Sequence, residues 1–156
     1  YRSVAQKADM VKVYIGSDHA GFSLKEKLKK SYPDLIDLTP DLDQSDDYPD
    51  AAVLVGEKVA KGRGVMGVLV CGSGIGICIA ANKILGVRAA TCREPGDAVL
   101  ARQDNDVNIV CLGGRITSST IAGTILDAFL STTFAGKSPA GKRHKRRVQK
   151  IAKMEK

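Results

Sequence analysis

Short apolar segments alternate with amphipathic segments along almost the whole chain. Residues 66–71 are apolar or small without polar alternation, which is typical of a strand buried on both faces of a parallel sheet. The amphipathic segments place apolar residues three or four positions apart, which predicts helices. The predicted strands span residues 11–16, 35–38, 66–71, 87–91 and 107–112. The predicted helices span residues 22–31, 51–60, 77–83, 96–103, 118–130 and 141–155.

This alternation predicts an α/β fold, a Rossmann-like three-layer α/β/α sandwich around a five-stranded parallel sheet of order 2-1-3-4-5. A chain of 156 residues without internal repeats or linkers fits one domain, which we place at residues 10–156. Residues 1–9 are polar and fit no element. We expect a disordered or vector-derived tail before a native start at Met10, or a natural extension. Asp50 is expected to cap the helix at 51–60.

The turn after the third strand carries candidate chemistry. Cys71 ends the strand, and the next residues are Gly72, Ser73, Gly74, Ile75 and Gly76. Glycines let the backbone turn tightly and direct several N–H groups into one space that suits an anion. Thiols beside helix N-termini ionise more readily than free thiols and act as bases or nucleophiles. The turn therefore combines a candidate proton acceptor with a candidate oxyanion site.

A second polar turn is expected to face the first. Ligands of open α/β sheets bind beyond the carboxyl ends of the strands, where the strand order reverses. The predicted order makes strands one and three neighbours there, so the turn at residues 16–21 faces the Cys71 turn. Asp18 alone also fits a cap of the first helix, but His19 beside it favours a site.

Charge and cysteine content narrow the class of protein. The formal net charge of +7 is concentrated at residues 142–147, which fit a nucleic-acid or nuclear-import patch, a solvated helix face or a clamp for a phosphorylated ligand. The four cysteines form no CxxC pair and lie in apolar stretches, which indicates reduced thiols in a cytoplasmic protein. No apolar run reaches membrane-spanning length and no signal-peptide pattern precedes the first strand, so no membrane association is expected.

Several motifs occur in order, at residues 16–21, 47–49, 71–76, 80–83, 86–89 and 143–147. Together they resemble the B-type ribose-5-phosphate isomerases and the related galactose-6-phosphate isomerase subunits. The resemblance runs from Val11 to the C-terminal helix. It implies interconversion of an aldose and a ketose phosphate through a cis-enediolate, without metal or cofactor. The expected pair is ribose 5-phosphate and ribulose 5-phosphate.

The resemblance also implies roles for individual residues. Cys71 matches the base that moves a proton between adjacent carbons. The groups expected to stabilise the enediolate are Gly72, Ser73, Gly74, Gly76 and Asn105. The residues expected to contact the sugar or its phosphate are Asp18, His19, Tyr48, Arg115, Arg143 and Arg147. In the family the site lies between two subunits, which implies a homodimer, with a tetramer as the alternative.

One position departs from the family pattern. Many members carry a histidine in the pattern Arg-x-His-Asn that assists opening of the furanose ring, and here Asp104 takes its place. Three explanations stay open: Asp104 is the catalytic acid–base group if burial raises its pKa, His19 or Asp18 opens the ring, or the sugar differs. No compensating histidine is expected nearby, because the chain has only His19 and His144. His144 is expected to face solvent or the rim of the phosphate site.

The remaining reactive side chains are assigned structural positions. We expect Cys78, Cys92 and Cys111 in the core and Lys145 and Arg146 in solvent. The alternative functions are an isomerase of allose or galactose 6-phosphate, and a non-catalytic protein that binds a phosphorylated ligand or nucleic acid. Stacking aromatic residues are scarce, so no nucleic-acid partner is expected.

Overall fold

The computed structural model of the protein describes residues 11–155. The tail predicted for residues 1–9 and the start at Met10 lie outside these residues. The strands are β1 Val13–Ser17, β2 Ile36–Asp37, β3 Met66–Cys71, β4 Ala89–Thr91 and β5 Ile109–Gly113. The helices are α1 Phe22–Ser31, α2 Tyr48–Lys61, α3 Ile75–Ala81, α4 Pro95–Asn105, α5 Ser119–Ser131 and α6 Lys142–Ala152. Two single 3₁₀ turns, Ala135–Lys137 and Pro139–Gly141, connect α5 to α6.

The five strands form one parallel sheet in the order β2-β1-β3-β5-β4. The parallel sheet and the pairing of β1 with β3 confirm the prediction. The last two strands are exchanged relative to the predicted order. Every residue of β5 is buried, as a central strand requires, whereas the three residues of β4 are only half-buried and form an edge.

Helices cover both faces of the sheet, which confirms the three-layer architecture. Side chains of α1, α4 and α5 pack on one face against Ile15, Val70 and Leu112. Side chains of α2 and α3 pack on the other face, around Leu69 and Cys71. Because successive residues of a strand point to opposite faces, Val70 and Cys71 enter different cores. The Cys71 side chain therefore lies on the α2 and α3 side of the sheet.

Helix α2 begins three residues earlier than predicted. It begins at Tyr48, with Pro49 in the first turn and Asp47 at the N-cap. Proline is favoured in the first turn because its fixed φ suits a helix. The N–H that proline lacks would have no acceptor within the helix at this position. Asp50 therefore lies within the first turn instead of capping the helix. Within residues 11–155, no helix is long and apolar enough to cross a membrane.

Candidate active site

The turns that follow β1 and β3 meet at the carboxyl edge of the sheet. The Asp18 N–H donates to the Val70 carbonyl at 3.3 Å, which continues the pairing of the two strands into the turn. A Cβ at Gly21 would lie only 2.2 Å from the Val70 carbonyl oxygen. Only glycine therefore lets the turn after β1 rest on the end of β3.

Cys71 lies at the centre of this edge. Cys71 is 3 % exposed, and its Sγ accepts the Gly74 N–H at 3.2 Å. Gly74 has φ +76, a left-handed conformation that glycine adopts without steric cost. A backbone N–H directed at sulfur stabilises a thiolate. The glycine turn thus folds back onto its own cysteine.

Two of the turn's donors are used within the turn. Besides the Gly74 N–H, the Ile75 N–H donates to Ser73 Oγ at 3.2 Å. The Ser73 hydroxyl therefore accepts one hydrogen bond and keeps its own proton to donate. Thr91, which the sequence did not single out, donates from Oγ1 to the Gly74 carbonyl at 2.7 Å and anchors the turn to β4. The set of N–H groups left for a ligand is smaller than predicted.

Asp18 closes the turn after β1. Its Oδ1 accepts the Gly21 N–H at 3.0 Å, and the residue is 6 % exposed. The sequence left open a cap of the first helix by Asp18, but α1 has Gly21 at its N-cap and no side-chain cap hydrogen bond, so Asp18 closes the preceding turn instead. The same position places its carboxylate at the edge where β1 and β3 end.

His19 is held by an aspartate of the loop before α2. Asp46 Oδ1 lies 2.8 Å from His19 Nδ1 and accepts the His19 N–H at 2.9 Å. The hydrogen bond to Asp46 raises the pKa of His19 above its ordinary value, and the nearby charge of Asp18 adds to this effect. His19 is therefore a cation over a wider pH range than a free histidine. The aspartate-rich loop was visible in the sequence, but its contact with His19 was not.

Tyr48 and Arg115 lie against the glycine turn. A Cβ at Gly76 would lie 2.6 Å from Tyr48 Cζ, and one at Gly72 would lie 3.1 Å from Arg115 Nη1. The Arg115 N–H also donates to the Gly72 carbonyl at 3.0 Å. The absence of side chains at Gly72 and Gly76 thus makes room for two polar side chains beside Cys71.

The remaining predicted residues lie at the opposite edge of the sheet. Helix α4 begins after the carboxyl end of β4 and returns across the sheet to Asn105, just before β5. The length of β3, five steps of about 3.3 Å each, separates the two edges by about 17 Å. A single chain therefore does not bring these residues to Cys71. They are Asp104, Asn105, Arg143 and Arg147.

His144 does not face solvent, which was one of the two positions predicted for it. Its side chain is 9 % exposed, and its Nδ1 lies 3.7 Å from Asp104 Oδ1. His144 therefore neither faces solvent nor lies far from Asp104. His144 and Val148 are spaced four residues apart and form the less exposed side of α6, in line with the buried N-cap residue Gly141. This spacing was the signal in the sequence, and the surrounding cations obscured it.

The other predicted positions are mostly confirmed. Cys92 and Cys111 are buried, while Lys145 and Arg146 are exposed. Cys78 is half-buried, and a hydrogen bond from the Cys111 thiol lowers its pKa to about 6. Within residues 11–155, no group of three or more potential metal-ligating side chains is close enough to hold an ion.

Comparison with known proteins identifies the family. The family model described as Ribose/Galactose Isomerase matches residues 13–151. The chain is 42% identical to a probable ribose-5-phosphate isomerase B of Mycoplasma genitalium, over 92% of this chain and 95% of that protein. It is 39% identical to ribose-5-phosphate isomerase B of Escherichia coli, over 94% and 97% of the two chains.

A solved structure shows the same fold. The crystal structure of ribose-5-phosphate isomerase B from Mycoplasma genitalium with bound ribulose-5-phosphate superimposes with a TM-score of 0.82 at 41% identity. The match covers 93% of this chain and 96% of that one. Sequence and fold therefore agree over nearly the whole length, and the chain belongs to the ribose/galactose isomerase family.

Proposed function

We propose that the protein interconverts ribose 5-phosphate and ribulose 5-phosphate. The relatives named ribose-5-phosphate isomerase B support this substrate pair. The single observation that carries the proposal is the Cys71 thiol, whose Sγ accepts the Gly74 N–H at the edge where Asp18 and His19 lie. A proton acceptor beside hydrogen-bond donors is what enediolate chemistry requires.

The proposed reaction moves one proton between neighbouring carbons. The Cys71 thiolate removes the proton from carbon 2 of the open-chain aldose, and the electron pair forms the carbon–carbon double bond of a cis-enediolate. The hydroxyl proton on oxygen 2 moves to oxygen 1, and the thiol returns its proton to carbon 1, which leaves a hydroxyl on carbon 1 and the carbonyl on carbon 2. The Ser73 hydroxyl and the uncommitted N–H groups of the turn stabilise the negative oxygen while the charge is present.

The substrate phosphate is held by cations. His19, kept charged by Asp46, and the Arg115 guanidinium provide positive charge at the carboxyl edge of the same chain. Arg143 and Arg147 lie four residues apart on α6 and are exposed. In the part of the chain that the structure describes, neither forms an ion pair with a carboxylate, so both guanidinium groups are available to a phosphate.

A homodimer completes the proposed site. The base lies at the carboxyl edge, whereas Asp104, Asn105, Arg143 and Arg147 lie toward the amino edge, at the other end of β3. In a dimer that packs the carboxyl edge of one copy against the amino edge of the other, each copy supplies these four residues to the Cys71 of its partner. Ile75 and Ile79 are 47% and 58% exposed beside the glycine turn, and such adjacent apolar side chains are typical of a covered surface.

Subunit complementation tests the shared site. Cys71→Ala and Arg147→Ala chains are each expected to form nearly inactive dimers. In a mixed dimer both defects fall in one site, and the other site is intact. Because half of the dimers in an equal mixture are mixed, activity should return to about one quarter of wild type. No recovery after dissociation and reassociation contradicts a shared site, and sedimentation velocity distinguishes a dimer from a tetramer.

A substrate panel tests the sugar assignment. Wild-type protein is assayed with ribose 5-phosphate, allose 6-phosphate and galactose 6-phosphate by NMR detection of the ketose. The proposal expects the highest kcat/KM with ribose 5-phosphate. A higher value with either hexose phosphate assigns the six-carbon alternative, and no turnover of any of the three contradicts the isomerase itself.

We further propose a cytoplasmic location. All four cysteines are free, as is usual in a reducing compartment. Fractionation of the source cells tests this proposal, and recovery of the protein outside the cytoplasm would contradict it.

A further inference from the structure

A threonine at the end of β4 contacts the glycine turn from the side of the sheet. Thr91 is the last residue of β4, and its Oγ1 donates to the Gly74 carbonyl at 2.7 Å. Gly74 is the N-cap of α3, and the carbonyl of an N-cap residue accepts the first hydrogen bond within the helix. A carbonyl oxygen has two lone pairs and accommodates both donors. The Thr91 hydroxyl is therefore a contact that formation of the helix does not itself require.

The other side of the same peptide group is directed at Ser73. The peptide that carries the Gly74 carbonyl also carries the Ile75 N–H, which donates to Ser73 Oγ at 3.2 Å. Ile75 is the first residue of α3, and the first N–H groups of a helix have no acceptor within it. Ser73 Oγ provides that acceptor. One planar peptide group thus connects the Thr91 hydroxyl to the Ser73 hydroxyl.

The donors of this chain all point in one direction. The Thr91 hydroxyl donates to the peptide oxygen, the peptide N–H donates to Ser73 Oγ, and Ser73 keeps its own proton for a ligand. Hydrogen bonds in such a chain polarise one another, so each group that accepts a hydrogen bond becomes a stronger donor. The Thr91 hydroxyl therefore strengthens the Ser73 O–H as a donor.

The Thr91 hydroxyl has a second neighbour, the sulfur of Cys78. Cys78 has other donors, which are the Cys111 thiol, the Thr91 N–H and Asn82 Nδ2, at 3.6 Å from the sulfur. A hydroxyl has only one proton to donate, and at 2.7 Å it is directed at the Gly74 carbonyl. Cys78 is thus supplied with donors while the Thr91 proton serves the turn.

We infer that Thr91 strengthens Ser73 as the hydrogen-bond donor to the enediolate oxygen. It acts through the peptide group between Gly74 and Ile75, which makes it a positioning residue. Negative charge develops on the substrate oxygen during proton transfer, so a stronger Ser73 donor stabilises the transition state more than the bound sugar. This inference rests on the proposed isomerase function.

The experiment measures the enediolate step alone. Ribulose 5-phosphate cannot close a furanose because its oxygen 5 carries the phosphate, so incorporation of deuterium at its carbon 1 in deuterium oxide reports removal of the carbon-bound proton. Thr91→Val removes the hydroxyl and keeps a β-branched side chain, which suits a strand. We expect kcat for incorporation to fall by about 3- to 10-fold, the contribution of one neutral hydrogen bond, and KM to stay within about twofold. Thr91→Ser, which keeps the hydroxyl, should retain about half of the wild-type kcat or more.

A double-mutant cycle distinguishes action through Ser73 from simple support of the turn. Ser73→Ala should lower kcat for incorporation by about 100-fold or more, which is typical of the loss of an oxyanion donor. Because the hydroxyl that Thr91 strengthens is then absent, the addition of Thr91→Val should change the rate by less than about twofold. If Thr91 only supported the turn and with it Cys71, Thr91→Val would lower the rate equally in both backgrounds.

Thr124→Val is the matched control. Thr124 is exposed on α5, and its Oγ1 donates to the Ile121 carbonyl at 2.8 Å, a bond of the same kind outside the glycine turn. This variant should retain the wild-type kcat. Melting temperatures verify that each variant is folded, and Thr91→Ala, which adds no bulk, gives the same test if the valine variant is unstable.

The outcomes separate two kinds of failure. A wild-type kcat in Thr91→Val overturns the inference, and so does an equal loss with and without the Ser73 hydroxyl. Thr91→Ser as slow as Thr91→Val also overturns it. In each of these cases the wild-type protein still exchanges the proton, so the proposed function stands. If wild-type protein neither converts ribose 5-phosphate nor incorporates deuterium into ribulose 5-phosphate, the proposed function fails and the inference fails with it.

Discussion

Replacement of Gly74 by alanine perturbs the turn that positions Cys71, and a matched glycine measures the backbone strain separately. Gly64 has φ +68 with no atom within 4 Å of an added Cβ. Left-handed strain costs about 1–2 kcal/mol, and the lower entropy of the unfolded alanine chain offsets about 0.4–1 kcal/mol. Gly64→Ala should therefore lose about 1 kcal/mol of unfolding free energy and keep full activity.

Gly74→Ala carries the same strain and a steric conflict. Its Cβ would lie 2.8 Å from the Leu112 carbonyl carbon and 3.1 Å from the Gly113 nitrogen, both backbone atoms of β5. Overpacking of this kind costs about 1–3 kcal/mol, for a total of about 2–4 kcal/mol. At about 2–4 °C per kcal/mol, the melting temperature should fall by about 5–15 °C.

The same substitution should lower activity. Movement of the turn removes the N–H that Gly74 donates to Cys71 Sγ, and a hydrogen bond to a charged group is worth about 1.5–3 kcal/mol. We therefore expect kcat/KM with ribose 5-phosphate to fall by about 10- to 100-fold. Calorimetry and steady-state kinetics at 25 °C measure both effects. A Gly74→Ala protein as stable and as active as Gly64→Ala refutes the reasoning.

Two further predictions concern titrating side chains. The hydrogen bond that His19 donates to Asp46 raises the pKa of His19, so the cation persists below that raised pKa and is lost as the pH rises through it. Loss of the cation should raise KM for ribose 5-phosphate, and in Asp46→Asn this rise should occur at a lower pH than in wild type. Identical dependence of KM on pH in the two proteins contradicts this role. Cys78, with its pKa lowered to about 6, should react with iodoacetamide at pH 7 before Cys92 and Cys111, whose pKa values burial raises. Peptide mass spectrometry checks the order, and earlier labelling of Cys92 or Cys111 contradicts it.

Much of the fold was predictable because local patterns determine it. Apolar runs marked the strands, and their alternation with helices implied a parallel sheet with β1 beside β3. The order of β4 and β5 required a comparison of two apolar segments. The run Ile109–Gly113 is more hydrophobic than Ala89–Thr91, which fits a central strand and an edge strand. That contrast was present in the sequence.

The candidate site was predictable in part. Cys71, Asp18 and His19 follow directly from strand ends, so the sheet places them. Asp46 lies in an irregular loop, whose conformation no periodic sequence pattern predicts. Its contact with His19 was therefore not predictable. His144 lies in a run of cationic residues, which predicts exposure to solvent. Its burial depends on the packing of α6 beside α4.

The central claim is that Cys71 is the base, and a comparison of two cysteine variants tests it most directly. Cys71→Ala and Cys92→Ala each remove one buried thiol, but Cys92 lies in the core formed with α1, α4 and α5. The measurement is deuterium incorporation into ribulose 5-phosphate, which does not depend on ring opening. We expect Cys71→Ala to abolish incorporation while it remains folded, and Cys92→Ala to retain it within a few-fold. Incorporation by Cys71→Ala at the rate of Cys92→Ala would contradict the account.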